Sequence, residues 1–314
     1  MRQFITRNQE EFDLNTKLCG FQTDDSNSKT PFFVIMWIIK LLSRLPLWAL
    51  YLISDFSYLL ARYVIGYRKQ VIDENLLHAF PEKTPAERKS IRNEFYRNFT
   101  DAFFAETIKM LTISEKELRE RFHVVNQELV DAPVKAGTSA LMMAGHVFNW
   151  EMAILGVALN TEVTAETVYL KLNNDFFNLL MLKIRMHFGG VMTEKSAFRR
   201  SMITMRSTPR IVHLAADQRP PISEKHYVRE FMNRPALFFE GGEVLAKKMN
   251  LPVFYGQITK IKRGYYRFEF TELARAPYDN SATNSVTDEF CRRLEENIRA
   301  QPSLYLWSHK RWKL

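Results

Sequence analysis

Leu141-Met142-Met143-Ala144-Gly145-His146-Val147-Phe148-Asn149-Trp150-Glu151 is the stretch whose reading decides the fold. An apolar run ends at Gly145-His146 and gives way to the helical pattern Trp150 to Leu159, which reads as strand, turn and helix. Short apolar runs recur at Ser139 to Ala144, Ile211 to Ala215 and Pro252 to Ile258, separated by helical stretches. Strands alternating with helices imply an α/β fold built on a mostly parallel sheet flanked by helices. The sheet is expected to be mixed, because Val253 to Thr259 and Gly264 to Phe270 flank a basic turn, Lys260, Lys262, Arg263 and Gly264, and predict an antiparallel hairpin.

A residue at the end of such a strand sits at the sheet's carboxyl edge, where α/β proteins place ligands. His146 is one. Glu151 follows five residues later, too far to face it on one helix, but the turn between them can bring the two together. A carboxylate that accepts the imidazole N–H fixes its tautomer, leaving the other nitrogen to deprotonate an attacking hydroxyl or amine. Asp217-Gln218-Arg219 closes the run Ile211 to Ala216 and faces the same edge if the strands are parallel. Phe239-Glu240-Gly241-Gly242-Glu243 precedes the helix Val244 to Met249, and its glycines could bring backbone N–H groups close to a phosphate or an oxyanion. No serine or cysteine lies in a Gly-x-Ser-x-Gly motif, so no covalent intermediate is required. His78, His123, His187, His213 and His226 lack a carboxylate in comparable context and read as structural or surface residues.

The 314 residues are 46% hydrophobic and 25% charged, which suits a globular protein with a sizeable core. Lys and Arg exceed Asp and Glu by 44 to 35, and the resulting charge of +9 calls for an anionic partner: nucleic acid, anionic lipid or an acidic carrier. Nucleic acid is disfavoured, because the cations do not interleave with aromatics in a recognisable binding signature. Cys19 and Cys291 show neither metal-ligand nor disulfide spacing, which points to no metal and to a reducing, cytoplasmic compartment. Residues 1–31 form a polar extension without a signal peptide's apolar core. Residues 32–67 are apolar and aromatic, but Lys40, Arg44, Pro46, Asp55 and Arg62 interrupt them before a run of ~20 apolar residues is complete. They predict one or two helices, broken at Pro46, that lie in a membrane's headgroup region or else pack on the protein's own core. Thr84, Pro85 and Glu87 carry the cap, first-turn proline and capping-box acid of a long helix over about residues 85–110. No linker divides residues 68–314, which read as one catalytic domain. The terminal Trp307 and Trp312 fit interfacial anchoring and core packing equally.

Several ordered blocks give the chain a resemblance to a known family. They are Arg68…Asn75-Leu76…Phe80-Pro81, His146-x4-Glu151, Tyr169…Lys171…Asn174, Ala216-Asp217-Gln218, Phe239…Gly241…Glu243 and Leu306 to Trp312. In this order they resemble the late, or secondary, acyltransferases of lipid A biosynthesis, within the glycerophospholipid acyltransferase superfamily. The resemblance implies transfer of a fatty acyl group from a thioester, on acyl carrier protein or coenzyme A, to a hydroxyl of a lipid acceptor. That acceptor would be a lipid A precursor at the cytoplasmic face of the inner membrane, and no cofactor is implied beyond the acyl co-substrate. His146 and Glu151 match the family's His-x4-Asp/Glu signature as the catalytic pair. Lys171, Asn174, Arg185, Asp217, Gln218 and Glu243 are the substrate-binding candidates. Where such enzymes read Tyr-Arg-Pro this chain reads Tyr169-Leu170-Lys171, and a lysine lacks arginine's bidentate fork. That departure keeps other acceptors open, a lysophospholipid or an amino-acid lipid, and the rival from another class is a membrane-binding protein without catalysis.

Overall fold

The computed structural model describes residues 30–279 and 283–312, with side chains from residue 34 onward. Most of the polar extension, including Cys19, lies outside the described residues. The expected α/β architecture is present as a seven-stranded mixed sheet of order β1-β9-β8-β2-β5-β3-β4. Its strands are β1 (Phe122–Val124), β2 (Ala140–Ala144), β3 (Ala165–Tyr169), β4 (Val191–Glu194), β5 (Ile211–Ala215), β8 (Val253–Lys262) and β9 (Tyr265–Ala274). β2 pairs in parallel with both β5 and β8, β3 with β5 and β4, while β9 turns back antiparallel on β8 as the expected hairpin. All five residues of β2 are buried, as a strand covered on both faces requires. The register Ala144↔Ala215 positions the site, because the chains leaving β2 and β5 emerge side by side at one edge.

A second hairpin, β6 (His226–Phe231) and β7 (Arg234–Phe239), stands apart from this sheet and was not expected. Its turn is Met232-Asn233, both with positive φ of 51° and 63°. The backbone is that of a tight hairpin turn, but the Asn-Gly or Asp-Gly pair that usually marks one is missing.

At the N-terminal end, α1 (Thr30–Ser43) and α2 (Leu47–Leu59) are separated at Pro46 and followed by a π-helical turn, Leu60–Ile65, that ends on Gly66 in the left-handed conformation. Leu47, Leu50, Ser54 and Tyr58 face the protein, whereas Trp48, Leu52, Phe56 and Leu59 form an exposed stripe, with Trp48 68% accessible. Next come α3 (Lys69–Ala79) and α4 (Pro85–Thr100). The capping box forms as expected: Glu87 N donates to Thr84 Oγ1 at 3.3 Å and Thr84 N to Glu87 Oε2 at 2.7 Å. The helix then runs on through a π segment, Asp101–Glu106, and α5 (Thr107–Met110) to the expected end.

Between the strands lie α6 (Glu115–Arg121), α7 (Glu128–Lys135), α8 (Trp150–Asn160), α9 (Asp175–Arg185), α10 (Lys195–Thr204), α11 (Gly241–Met249) and α12 (Ser285–Ala300). α8 packs so tightly on β1 that a Cβ on Gly156 would sit 2.2 Å from Phe122 Cδ1. Trp307 and Trp312 are buried and stacked at 6.3 Å, which decides their role for core packing. None of the helices formed by the described residues is long and apolar enough to cross a membrane.

Candidate active site

His146 and Asp217 lie two residues beyond Ala144 and Ala215, so the parallel register sets them beside each other. His146 Nδ1 donates to Asp217 Oδ1 at 2.6 Å, and Gln218 Nε2 donates to His146 Nε2 at 3.1 Å. The imidazole is thereby held in the tautomer whose Nε2 lone pair faces outward. Trp150 meets the ring edge-on at 5.2 Å. Burial disfavours the imidazolium, but the charge and hydrogen bond of Asp217, with help from Glu151, outweigh it, so His146 titrates above the usual imidazole value. Burial would likewise push Asp217 up, and His146 more than reverses that, so the carboxylate stays ionised.

Asp217 therefore occupies the place at His146 Nδ1 that was expected of Glu151. Glu151 sits in the first turn of α8 and is clasped by Arg185 from the end of α9, Nε to Oε2 at 2.8 Å and Nη2 to Oε1 at 2.6 Å, with Trp150 Nε1 donating to Oε1 at 3.1 Å. It reaches His146 through its field alone. The turn does bend between His146 and Glu151, but α9 supplies a bidentate guanidinium to the carboxylate, the stronger geometry.

The other candidates divide. Asp217, Gln218 and Arg185 join the His146 neighbourhood. Lys171 is exposed and pairs with Asp175 at 3.0 Å. Asn174 caps α9 by accepting from Phe177 N at 3.1 Å. Glu243 is buried, accepts from Thr287 N and Oγ1 at 3.0 and 2.9 Å, and pairs with Lys247, so it ties α11 to the start of α12. His213, expected to be structural, is buried in β5, and desolvation pushes it down to about 4. No cluster of metal-ligating side chains occurs among the described residues.

Two supports of the loop that carries His146 escaped the sequence reading. The C-terminal tail pairs with it: Phe148 N donates to Leu304 O at 2.9 Å and Leu306 N to His146 O at 3.1 Å. That tail is held in turn by Asn75 Nδ2 on Trp307 O at 2.8 Å and Arg68 Nη1 on Ser308 O at 2.9 Å, so blocks more than 230 residues apart serve one loop. Asn149 caps α8 and donates to buried Glu106 at 2.6 Å, while Tyr51 and Tyr266 also donate to Glu106 at 2.9 Å each. Only the order of the motifs hinted at the first support, and nothing in the sequence marks Glu106.

An α/β sheet that holds an oriented imidazole at its carboxyl edge has the parts of an enzyme working by general-base catalysis. The family model for bacterial lipid A biosynthesis acyltransferases matches residues 19–314, and the chain belongs to that family. It is an acyltransferase of the lipid A biosynthesis type. None of the curated proteins compared with the chain matches it.

Proposed function

We propose that the protein transfers a fatty acyl group from a thioester, carried by acyl carrier protein or coenzyme A, to a hydroxyl of a lipid A precursor, with His146 as general base. The observation that carries this reading is the 2.6 Å contact between His146 and Asp217, which turns Nε2 into the proton acceptor. The acceptor hydroxyl takes the place of the Gln218 amide at Nε2 and gives its proton there as its oxygen attacks the thioester carbonyl. When the tetrahedral intermediate collapses, the thiolate leaves with that proton, and imidazole and free thiol are restored. Arg185, fixed by Glu151, keeps Nη1 without a hydrogen-bond partner among the described residues and is the cation nearest in function to an oxyanion stabiliser. Phe99, Phe103 and Trp150, packed over buried Phe148 with ring centres 4.8 to 6.4 Å apart, give the acyl chain an apolar surface next to the base. The exposed stripe of α2 is the face that would meet the cytoplasmic side of the inner membrane.

The test is mass spectrometry of lipids from cells with the gene, without it, and with His146→Ala. Lipid A lighter by one acyl chain in both defective strains is the expected result. Unaltered lipid A with a missing phospholipid or aminolipid would move the acceptor elsewhere, and full activity of the variant would remove His146 as the base.

A pH profile adds a second check. A base works only when neutral, and His146 titrates above the usual ~6.5. The rising limb of kcat/KM should therefore lie above that value, and Asp217→Asn should move it to lower pH. A limb that stays in place in the variant would detach it from His146.

A further inference from the structure

A cleft of about 550 Å³ opens where the break between α1 and α2 meets the tip of the β8–β9 hairpin. Arg44, Lys109, Arg121 and Arg263 line it, together with Trp48 and Tyr51, and Glu117 is its one lining carboxylate. We propose that this cleft binds the phosphate of an anionic phospholipid headgroup in the bilayer, separately from the lipid that reacts at His146.

Charge is the first argument. Arg263 is already held by Asp55 and Asp101, and Lys109 and Arg121 share Glu117, at 3.7 and 3.0 Å. Arg44 has no ion pair among the described residues. The carboxylates that pair with these four cations are three, Glu117, Asp55 and Asp101, while Glu106 behind Tyr51 is buried and desolvation pushes its carboxyl up, so an incoming phosphate supplies the missing negative charge.

Placement is the second. The cleft adjoins the exposed stripe that begins at Trp48 and continues through Leu52 and Phe56. An indole and apolar side chains beside a cluster of Arg and Lys match the boundary between acyl chains and headgroups.

The cleft is also a built feature. Arg263 lies 4.1 Å from the centre of the Tyr51 ring and Arg121 lies 5.0 Å from that of Tyr265, so both guanidinium groups rest on aromatic faces. Gly264, at φ 75°, seats the hairpin tip so closely on α2 that a Cβ there would stand 2.3 Å from Tyr51 Oη. Tyr51 in turn shares Glu106 with Asn149, which fixes the cleft relative to the catalytic loop.

The proposal rests on α2 meeting the membrane, and the experiment separates the two ideas. Binding of the full chain is measured on phosphatidylcholine vesicles with and without phosphatidylglycerol. The proteins compared are the wild type, Arg44→Gln/Arg121→Gln, and a control of equal charge change on exposed residues outside the cleft, Lys40→Gln/Lys116→Gln. The cleft variant should bind the anionic vesicles roughly 10- to 30-fold more weakly, at about 1 kcal/mol per cation, and should bind phosphatidylcholine like the wild type. An equal loss in the control would mean a diffuse charge effect and overturn the site. So would an unchanged preference for anionic vesicles in the cleft variant. A raised KM for the acceptor with vesicle binding intact would give the phosphate to the reacting lipid instead. If the wild type binds neither vesicle, the membrane contact fails and the proposal with it.

Discussion

Asp217→Asn is expected to lower kcat about 10⁴-fold while the protein stays folded, the size of effect seen when an orienting carboxylate becomes an amide. Asparagine nearly preserves the shape of the side chain that meets His146 Nδ1. Its Nδ2 donates, however, where the carboxylate accepts, so the imidazole turns to the tautomer with its hydrogen on Nε2. The lone pair needed for the acceptor proton is then lost. The measurement is turnover of an acyl thioester with a lipid acceptor, with circular dichroism as the control for folding. Activity within about tenfold of wild type would mean that Asp217 does not set the tautomer, and the choice between Asp217 and Glu151 as the partner of His146 would reopen.

The largest expected loss of stability comes from another buried carboxylate. Glu166 in β3 and Arg210 before β5 are 0% and 1% exposed and form an ion pair, and Thr193 and Ser201 also donate to Glu166 at 2.5 and 3.0 Å. Glu166→Leu leaves the guanidinium buried without its counter-charge, which costs about 3–5 kcal/mol. For a chain of this size that corresponds to a fall in Tm of about 5–8 °C. Glu166→Leu/Arg210→Met should recover most of the loss, since removing both charges also removes the desolvation penalty. A Tm within a degree or two of wild type for the single variant would show that Arg210 is satisfied by the carbonyls of Met205 and Thr208 alone.

Much of this molecule was legible along the chain because the signals are local. The apolar run before His146, the Thr84 to Glu87 box and the break at Pro46 each act within a few residues, and each appears where it was read. The β6–β7 hairpin stayed hidden because its turn reaches positive φ with Met232-Asn233 and not with glycine. In the segment 32–67, α2 packs one face on the protein and leaves an apolar stripe exposed on the other, a division that composition alone does not reveal. Among the candidate residues, Asn174 and Glu243 carry signals that also belong to helix ends, and the structure gives them capping contacts.

By itself, then, the sequence determined the alternation of strands and helices around the β2, β5 and β8–β9 runs, the histidine candidate at a strand's end, and one carboxylate, Glu151, near enough along the chain to be read as its partner. Which carboxylate partners it was decided only in three dimensions. Asp217 lies 71 residues from His146 and reaches it because β2 and β5 pair in parallel with Ala144 opposite Ala215. Glu151 is near in sequence but is taken by Arg185, which α9 brings from 34 residues away. Spacing along a chain can limit which groups are able to meet, but register and competing partners settle which of them do.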